Sequence, residues 1–302
     1  KLMDKTTGEP LLIDGEEITQ TVTIKIEDGK MVIVSGNGEN ETVTSYDHIR
    51  NTADGQIDLR FAFDSSKLDN QAATIVVFED LIHNDVTVNV HHEIEDREQS
   101  VNEVEIHTTA VDFNTKDQVG RALKRGHSSI LDTIKFSGLV KGMEYRVELS
   151  LIDQGASDKD NIVYLTDENG KPIKRTVTFT TDDLLHAEGD DFNMSGELKI
   201  AVAFKGSLAE GKTITVFEDL YHNETLIASH PFRNNETGEI VWNDDEIKAQ
   251  SVFYPTGKTN LTDDNTTTHM SDAKQAASIT DDVYFQNLIE GEEYTIEASL
   301  YN

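Results

Sequence analysis

The sequence contains no cysteine, and only 36% of its 302 residues are hydrophobic. The absence of cysteine excludes disulfide bonds and thiolate chemistry, so an extracellular role would require another source of stability. No apolar run approaches the roughly 20 residues that a membrane helix requires, so we expect no membrane insertion. The apolar residues that are present are sufficient only for small β-sheet cores.

Positive charge is also scarce. The sequence has 26 lysines and arginines but 57 aspartates and glutamates, which gives a net charge of −31. Such a surface repels nucleic-acid phosphates and anionic membranes, so we expect neither as a partner. The negative charge is spread along the sequence, which is typical of a solvated surface exposed to the medium. No acidic cluster has EF-hand spacing, so we expect no metal ion and no cofactor.

One apolar, β-branched stretch occurs twice, at residues 74–85 and 213–224, and both copies contain Val-Phe-Glu-Asp-Leu. This pattern predicts a buried strand. An ionised carboxylate is costly to bury, so Glu79 and Glu218 should be paired, protonated or chemically active. The duplication also indicates a repeat protein.

The repeat extends along the whole sequence. Residues 102–253 form one complete unit, residues 1–101 match the back half of that unit, and residues 254–302 match its front half. Positions such as Tyr145 and Tyr294 recur 149 residues apart. We therefore expect a window cut from a tandem array, with neighbouring repeat domains as the main partners. Either the missing halves exist in the parent protein, or neighbouring units supply them.

Many short alternating segments separated by turns predict an all-β fold of tandem Ig-like antiparallel β-sandwich domains. Residues 182–188 are the best candidate for a helical turn. Residues 231–242, which include the single tryptophan, Trp242, are predicted to form an inserted hairpin near the end of the complete unit.

Five kinds of polar residue recur in a fixed order along the repeats. They are the threonines Thr108 and Thr259, the aspartates Asp132 and Asp281, the glutamates Glu79 and Glu218, the histidines His91 and His230, and the glutamines Gln99 and Gln250. A hydroxyl, an imidazole and a carboxamide can perform acyl transfer, in which the imidazole takes the hydroxyl proton and ammonia leaves. Two carboxylates in an apolar site would share a proton, and the neutral one could donate to the developing oxyanion.

The order Thr…Asp-Thr-Ile…Val-Phe-Glu-Asp…His…Gln-Ser-Val resembles the VaFE-repeat domains of Gram-positive surface proteins, over essentially the whole chain. Those domains form an intramolecular Thr–Gln ester bond by autocatalysis. The resemblance implies that Thr108 is the nucleophile, Gln250 the acyl donor, His230 the base, and Asp132 and Glu218 the acid pair. We expect the threonine and the glutamine on neighbouring strands, so that the ester joins both ends of the domain.

By the same resemblance, the remaining residues serve the flanking repeats. Gln99, Glu79 and His91 would belong to the site of the first domain, and Thr259 and Asp281 to that of the third.

Two features leave alternatives open for the complete unit. His91 precedes Gln99 by eight residues, whereas His230 precedes Gln250 by twenty, so the second site requires the insertion to loop out. Thr109 is the competing nucleophile, and strand alternation should direct only one of the adjacent threonines inward.

The favoured function is a structural stalk in an extracellular, cell-wall-anchored adhesin, whose other domains could bind a host ligand. Crosslinking would occur once per domain, so the protein would not be an enzyme, and a Thr/His/Asp hydrolase is the least favoured alternative. A ligand-binding adhesin module is disfavoured because the repeats lack an aromatic-rich variable loop. A lysine–asparagine isopeptide bond is also disfavoured, because Lys116, the nearest downstream lysine, lies eight residues from Thr108.

Overall fold

A computed structural model describes residues 1–69, 74–231, 233, 240–241, 243–271 and 277–301. The chain forms two compact units, Lys1–Glu103 and Val104–Asn302. Antiparallel strands predominate in both units, so the predicted all-β sandwich fold is confirmed. None of the helices in the described part of the chain is long and apolar enough to cross a membrane.

The described part of the first unit consists of short strands and a 3₁₀ turn. They are β1 (Leu2–Asp4), β2 (Leu12–Ile13), β3 (Glu16–Glu17), β4 (Thr23–Glu27), β5 (Lys30–Ser35), β6 (Gly38–Asp47), β7 (Thr52–Leu59), the turn Ser65–Lys67, β8 (Thr74–Val77), β9 (Glu79–His83), β10 (Val86–His91) and β11 (Ser100–Asn102). Strands β1, β8 and β11 form one sheet, and the others pair as two-stranded hairpins. A small core forms around Leu2, Leu11, Leu68 and Ile75.

The second unit has longer strands and one short helix. Its described elements are β12 (Glu105–Asp112), β13 (His127–Leu139), β14 (Tyr145–Asp153), β15 (Lys174–Phe179), β16 (Leu185–Gly189), β17 (Met194–Lys205), β18 (Thr213–His222), β19 (Thr225–His230), α1 (Asp244–Ala249), β20 (Ser251–Phe253), β21 (Thr256–Asp263) and β22 (Ile279–Gln286), with 3₁₀ turns at Gln154–Ala156, Thr181–Asp183 and Gly206–Leu208.

Two antiparallel sheets form a sandwich in the second unit. One has the order β12-β13-β17-β16, and the other has the order β15-β14-β18-β19, with β20 also paired to β18. Apolar residues alternate with polar ones along these strands, so each sheet turns one apolar face inward. Side chains from both sheets, including Ile134, Val147, Val216 and Val252, form a single core.

The helical turn predicted over residues 182–188 is present only at its start, and the rest of this segment was predicted wrongly, because it is mostly strand. A 3₁₀ turn covers Thr181–Asp183, where the Thr180 N–H donates to Asp183 Oδ2 at 2.8 Å, and the chain then enters β16. This contact closes a single turn, and pairing with β17 then extends the backbone.

Helix α1 was not predicted from the sequence. Its N-cap, Asn243, accepts hydrogen bonds from the N–H groups of Asp245 and Glu246, and acidic residues fill the first turn, where the helix dipole favours them.

The predicted hairpin insertion at residues 231–242 falls largely outside the described residues, as does Trp242. Within the described part, Arg233 and Ile240 form an antiparallel bridge. The backbone N–H of Arg233 donates a hydrogen bond to Ser229 Oγ at 2.7 Å. Ile240 packs against Phe217 and Ile247. The two ends of the insertion are therefore held close together next to β19 and α1.

The sequence repeat is also a structural repeat with a conserved strand register. Leu2 lies opposite Val77 in the first unit, as Leu151 lies opposite Val216 in the second.

The segment after β22 follows the same pattern. The Tyr145 hydroxyl accepts the Val140 N–H at 2.8 Å, and the equivalent Tyr294 hydroxyl accepts the Ile289 N–H at 3.1 Å. Equivalent residues of the repeats can therefore be compared directly.

This equivalence gives a matched pair of stability variants. Leu220 is 0% exposed in the sandwich, whereas its counterpart in the first unit, Leu81, is 57% exposed. We expect Leu220→Ala to lower the free energy of unfolding by about 2–5 kcal/mol, because it leaves a cavity in a packed core. Leu81→Ala should change it by less than about 0.5 kcal/mol. Hydrogen exchange under native conditions measures both, and equal effects would contradict the described packing.

Candidate functional site

The candidate nucleophile lies on the edge strand of the first sheet. Burial alternates along β12, so Thr108 faces the interior at 5% exposure, whereas Thr109 faces solvent. Strand geometry alone thus distinguishes the two adjacent hydroxyls. Only Thr108 is presented to the space between the sheets.

Three further side chains, from Glu218, His230 and Gln250, contact this hydroxyl, and a fourth residue, Asp132, is buried on the neighbouring strand. Asp132 comes from β13, and Glu218 comes from β18 and lies opposite His230 at the end of β19. Gln250 is the C-cap of α1, immediately before β20, and is fully buried. The expectation that Thr108 and Gln250 lie on neighbouring strands was wrong, because β12 pairs with β13 and β20 pairs with β18 in the other sheet. The two side chains meet across the sandwich.

The distances place the reacting groups in contact. Thr108 Oγ1 lies 3.1 Å from His230 Nδ1 and 3.3 Å from Glu218 Oε2. Gln250 Nε2 donates to Glu218 Oε2 at 2.7 Å and also contacts Thr108 Oγ1 and His230 Nδ1. Gln250 Oε1 is buried and has no hydrogen-bond partner among the described residues. The insertion before Gln250 therefore does not displace His230.

Asp132 and Glu218 form a buried acid pair. Burial raises the pKa of Asp132 to about 7. Burial, followed by the charge of Asp132, raises the pKa of Glu218 well above its usual range. Because burial raises the pKa of both carboxyl groups, the pair retains a proton near neutral pH.

His230 is held in its neutral form. Burial, assisted by the nearby His107, lowers the pKa of His230 to about 4. The two imidazole rings lie 6.5 Å apart between centroids in an edge arrangement. A neutral imidazole has one nitrogen free to accept a proton, so His230 can act as a base at physiological pH.

A sixth residue, Glu246, was missed by the sequence analysis. Its Oε2 lies 3.7 Å from His230 Nε2, on the side of the ring opposite Thr108. A carboxylate beside Nε2 favours the tautomer protonated there, which leaves the Nδ1 lone pair facing the Thr108 hydroxyl. Glu246 precedes Gln250 by one turn of α1, and this helical spacing could have identified it.

The first unit repeats part of this arrangement. Gln99 Nε2 lies 2.8 Å from Glu79 Oε2 and 2.9 Å from His91 Nδ1, and Gln99 Oε1 is buried without a partner among the described residues. His91 Nε2 lies 3.2 Å from Asp96 Oδ2. In both repeats a carboxylate therefore lies near Nε2 of the histidine. Asp96 precedes Gln99 by three residues, and Glu246 precedes Gln250 by four.

The remaining predicted residues, Thr259 and Asp281, lie on the β21–β22 hairpin. Thr259 is opposite Val283, as Thr108 is opposite Ile134 in the complete repeat. Both predicted side chains are exposed, and no described glutamine, glutamate or histidine side chain is hydrogen-bonded to them.

One group of side chains within the described ranges has metal-ligand spacing. The ligand atoms of His91, Glu93 and Asp96 lie within 4.8 Å of one another. His91 uses its two ring nitrogens toward Gln99 and Asp96, so its contacts belong to the glutamine site.

The fold and the site define a class of all-β repeat proteins with a buried threonine beside a glutamine. The sequence model of the T-Q ester bond containing domain matches residues 2–103, 104–240 and 255–302. The chain belongs to this family. The resemblance to ester-bond domains noted from the sequence is therefore confirmed.

Several solved structures are distantly similar. An adhesin from Mobiluncus mulieris, described as containing intramolecular disulfide, isopeptide and ester bond cross-links, matches in two crystal forms. One has 12% identity, a TM-score of 0.33, and covers 61% of this chain and 76% of that one. The other has 11% identity, a TM-score of 0.34, and covers 62% and 74%.

A glycosyl hydrolase family 2 member from Bacteroides cellulosilyticus has 11% identity and a TM-score of 0.28, and covers 43% of this chain and 15% of that one. No curated protein matches the sequence.

The lowered pKa of His230 predicts the pH dependence of the reaction of Thr108 with Gln250. The base is neutral above pH of about 4, so the rate of ammonia loss should stay high at about pH 5 and fall only as His230 becomes protonated near pH 4. Refolding at a series of pH values, followed by intact mass, measures the rate. An acid limb centred near the ordinary histidine value of 6.5 would contradict the described burial.

The contact of Glu246 with His230 gives a second prediction. Glu246→Gln should slow ammonia loss by about tenfold, equivalent to about 1.4 kcal/mol in the barrier, because the orienting charge is lost. Asp245→Asn is the matched control, since it removes a carboxylate from the same exposed turn without a contact to the imidazole. Equal rates in the two variants would show that Glu246 does not orient the base.

Proposed function

We propose that the complete repeat forms an intramolecular ester between Thr108 and Gln250 by autocatalysis. The observation that carries this proposal is the contact of a buried hydroxyl with a buried carboxamide, with a neutral imidazole 3.1 Å from the hydroxyl oxygen. No other reactant is required, because the chain supplies nucleophile, acyl donor, base and acid.

The steps follow from the contacts. His230 Nδ1 accepts the proton of the Thr108 hydroxyl, and Oγ1 attacks the carboxamide carbon of Gln250. The bond from that carbon to Nε2 then breaks. Both the protonated imidazole and Glu218 contact Nε2, so either can deliver the proton that releases ammonia. We therefore assign Glu218 to the leaving nitrogen, whereas the sequence predicts that the neutral member of the acid pair donates to the developing oxyanion.

The alternative isopeptide bond is not supported by the position of the nearest lysine. Lys116 has its ammonium group 3.9 Å from the ring centre of Phe113. Both residues are exposed, whereas Thr108 is buried beside Gln250.

The biological role that we infer is a structural stalk in an extracellular, cell-wall-anchored adhesin. Membership of the ester-bond family and the tandem arrangement of three repeat segments support this role. The bond would join residues 142 positions apart, near the first and last strands of the repeat. Tension applied along the chain would then load a covalent bond rather than the strand hydrogen bonds. Each site reacts once, so the protein is not an enzyme.

The ester itself is tested by Thr108→Ala. The wild-type chain should weigh one ammonia less than its sequence, and the variant should have the full sequence mass. The variant should also be less stable by about 5 kcal/mol, if the ester constrains the unfolded chain as a disulfide of similar span does.

Thr109→Ala is the matched control, because its side chain faces solvent, and it should keep the ammonia loss and the stability. Intact mass and thermal unfolding measure both effects. A refolded wild-type chain at full sequence mass would refute the proposed function.

A further inference from the structure

The acyl donor Gln250 lies at the junction of two very short elements. Helix α1 has six residues and β20 has three. The Gln250 N–H donates to the Glu246 carbonyl at 3.2 Å, and the Gln250 carbonyl accepts the Val216 N–H at 3.1 Å. A helix of this length is not stable by itself. The position of Gln250 therefore depends on the contacts that hold α1 and β20 together.

The side chain of Gln118 joins these two elements directly. Its Nε2 donates to the Lys248 carbonyl at 2.6 Å and to the Ser251 carbonyl at 3.0 Å. These carbonyls lie two residues before and one residue after Gln250 in the sequence. A single carboxamide therefore holds the backbone on both sides of the acyl donor.

The backbone around Gln118 continues this contact along β20. The Phe253 N–H donates to the Gln118 carbonyl at 2.7 Å, and the Gly120 N–H donates to the Phe253 carbonyl at 2.7 Å. Val119 and Phe253 thereby form a parallel bridge. Because β20 also pairs with β18, residues 118–120 occupy the other edge of β20.

The same segment is anchored to the strand that carries the nucleophile. Asp112 ends β12, four residues after Thr108, and is fully buried. Its Oδ2 accepts the hydroxyl of Tyr254 at 3.3 Å, and Tyr254 lies four residues after Gln250. A Cβ at Gly120 would lie 2.5 Å from Tyr254 Cε1, so this close approach requires glycine. The two reacting segments are thus also joined by a noncovalent contact.

We propose that residues 112–120, which we call the clamp segment, position the acyl donor, and that Gln118 is the positioning residue. This inference rests on the ester chemistry of the proposed function. Attack by Thr108 requires its oxygen to lie about 3–3.5 Å from the carboxamide carbon, and an error of about 1 Å can slow such a reaction about 100-fold. The clamp segment fixes this distance, because it ties the backbone on both sides of Gln250 to the end of β12. Gln118 acts through that backbone and not on the reacting atoms.

The test is the rate of ammonia loss in chains altered at Gln118. Gln118→Met keeps the length of the side chain but removes both hydrogen bonds, so we expect the rate to fall about tenfold or more. Gln118→Asn keeps the carboxamide but is one methylene shorter, so it should slow the reaction similarly, and it replaces the first variant if methionine prevents folding. Intact mass after refolding measures the rate, and circular dichroism verifies that each chain is fully folded.

Thr115→Ala is the matched control on the clamp segment. Thr115 is exposed, and its hydroxyl bonds within the segment to the backbone of Asp117. This variant should lose ammonia at the wild-type rate.

The pH profile separates positioning from a merely structural role. Gln118→Met should lower the rate at every pH and leave the acid limb near pH 4, because Gln118 acts on the donor and not on the base His230. The measurement is the refolding series described for His230, repeated with the variant.

The proposal is overturned if the fully folded Gln118→Met chain loses ammonia at the wild-type rate. It is equally overturned if the acid limb of this variant moves to the ordinary histidine value of 6.5, since Gln118 would then act by keeping water from His230. A wild-type chain at full sequence mass would refute the ester and the clamp together. Equal rates in the wild-type and variant chains would refute the clamp alone, so the two proposals can be distinguished.

Discussion

The contact between Thr108 and Gln250 across the two sheets is the constraint on which the site depends. Burying a hydroxyl, a carboxamide, an imidazole and two carboxyl groups is costly unless they satisfy one another. In the complete repeat they do so only in part. Gln250 Nε2 donates to Glu218 Oε2, and the Thr108 hydroxyl meets Glu218 and His230, whereas both Asp132 oxygens and Gln250 Oε1 have no partner among the described residues. The same burial that makes the cluster costly keeps the base neutral and the acid pair protonated. The sandwich therefore both holds the groups and sets their reactivity.

The first unit shows which part of this arrangement forms independently. Gln99, Glu79 and His91 adopt their contacts although no described threonine hydroxyl is hydrogen-bonded to the carboxamide. The acyl-donor half is positioned by pairing of β9 with β10, which brings Glu79 opposite His91. The hydroxyl half is a separate hairpin with its own register.

Local patterns in the sequence predict much of this structure, because alternation and repeats are properties of nearby residues. They predict that only one of Thr108 and Thr109 faces inward, and they identify the recurring polar residues. They do not reveal that β12 and β20 belong to different sheets, because sheet order depends on long-range pairing. Helix α1 is too short for helical periodicity to be recognised, so the contribution of Glu246 was missed with it.

The central claim is tested most directly by locating the bond itself. The chain is first folded, then denatured by boiling and digested with a protease. Tandem mass spectrometry should then find one branched peptide that joins the segment of Thr108 to the segment of Gln250. The fragment masses should place the ester on those two side chains, with one ammonia missing. Two separate linear peptides, with the Gln250 carboxamide intact, would contradict the account.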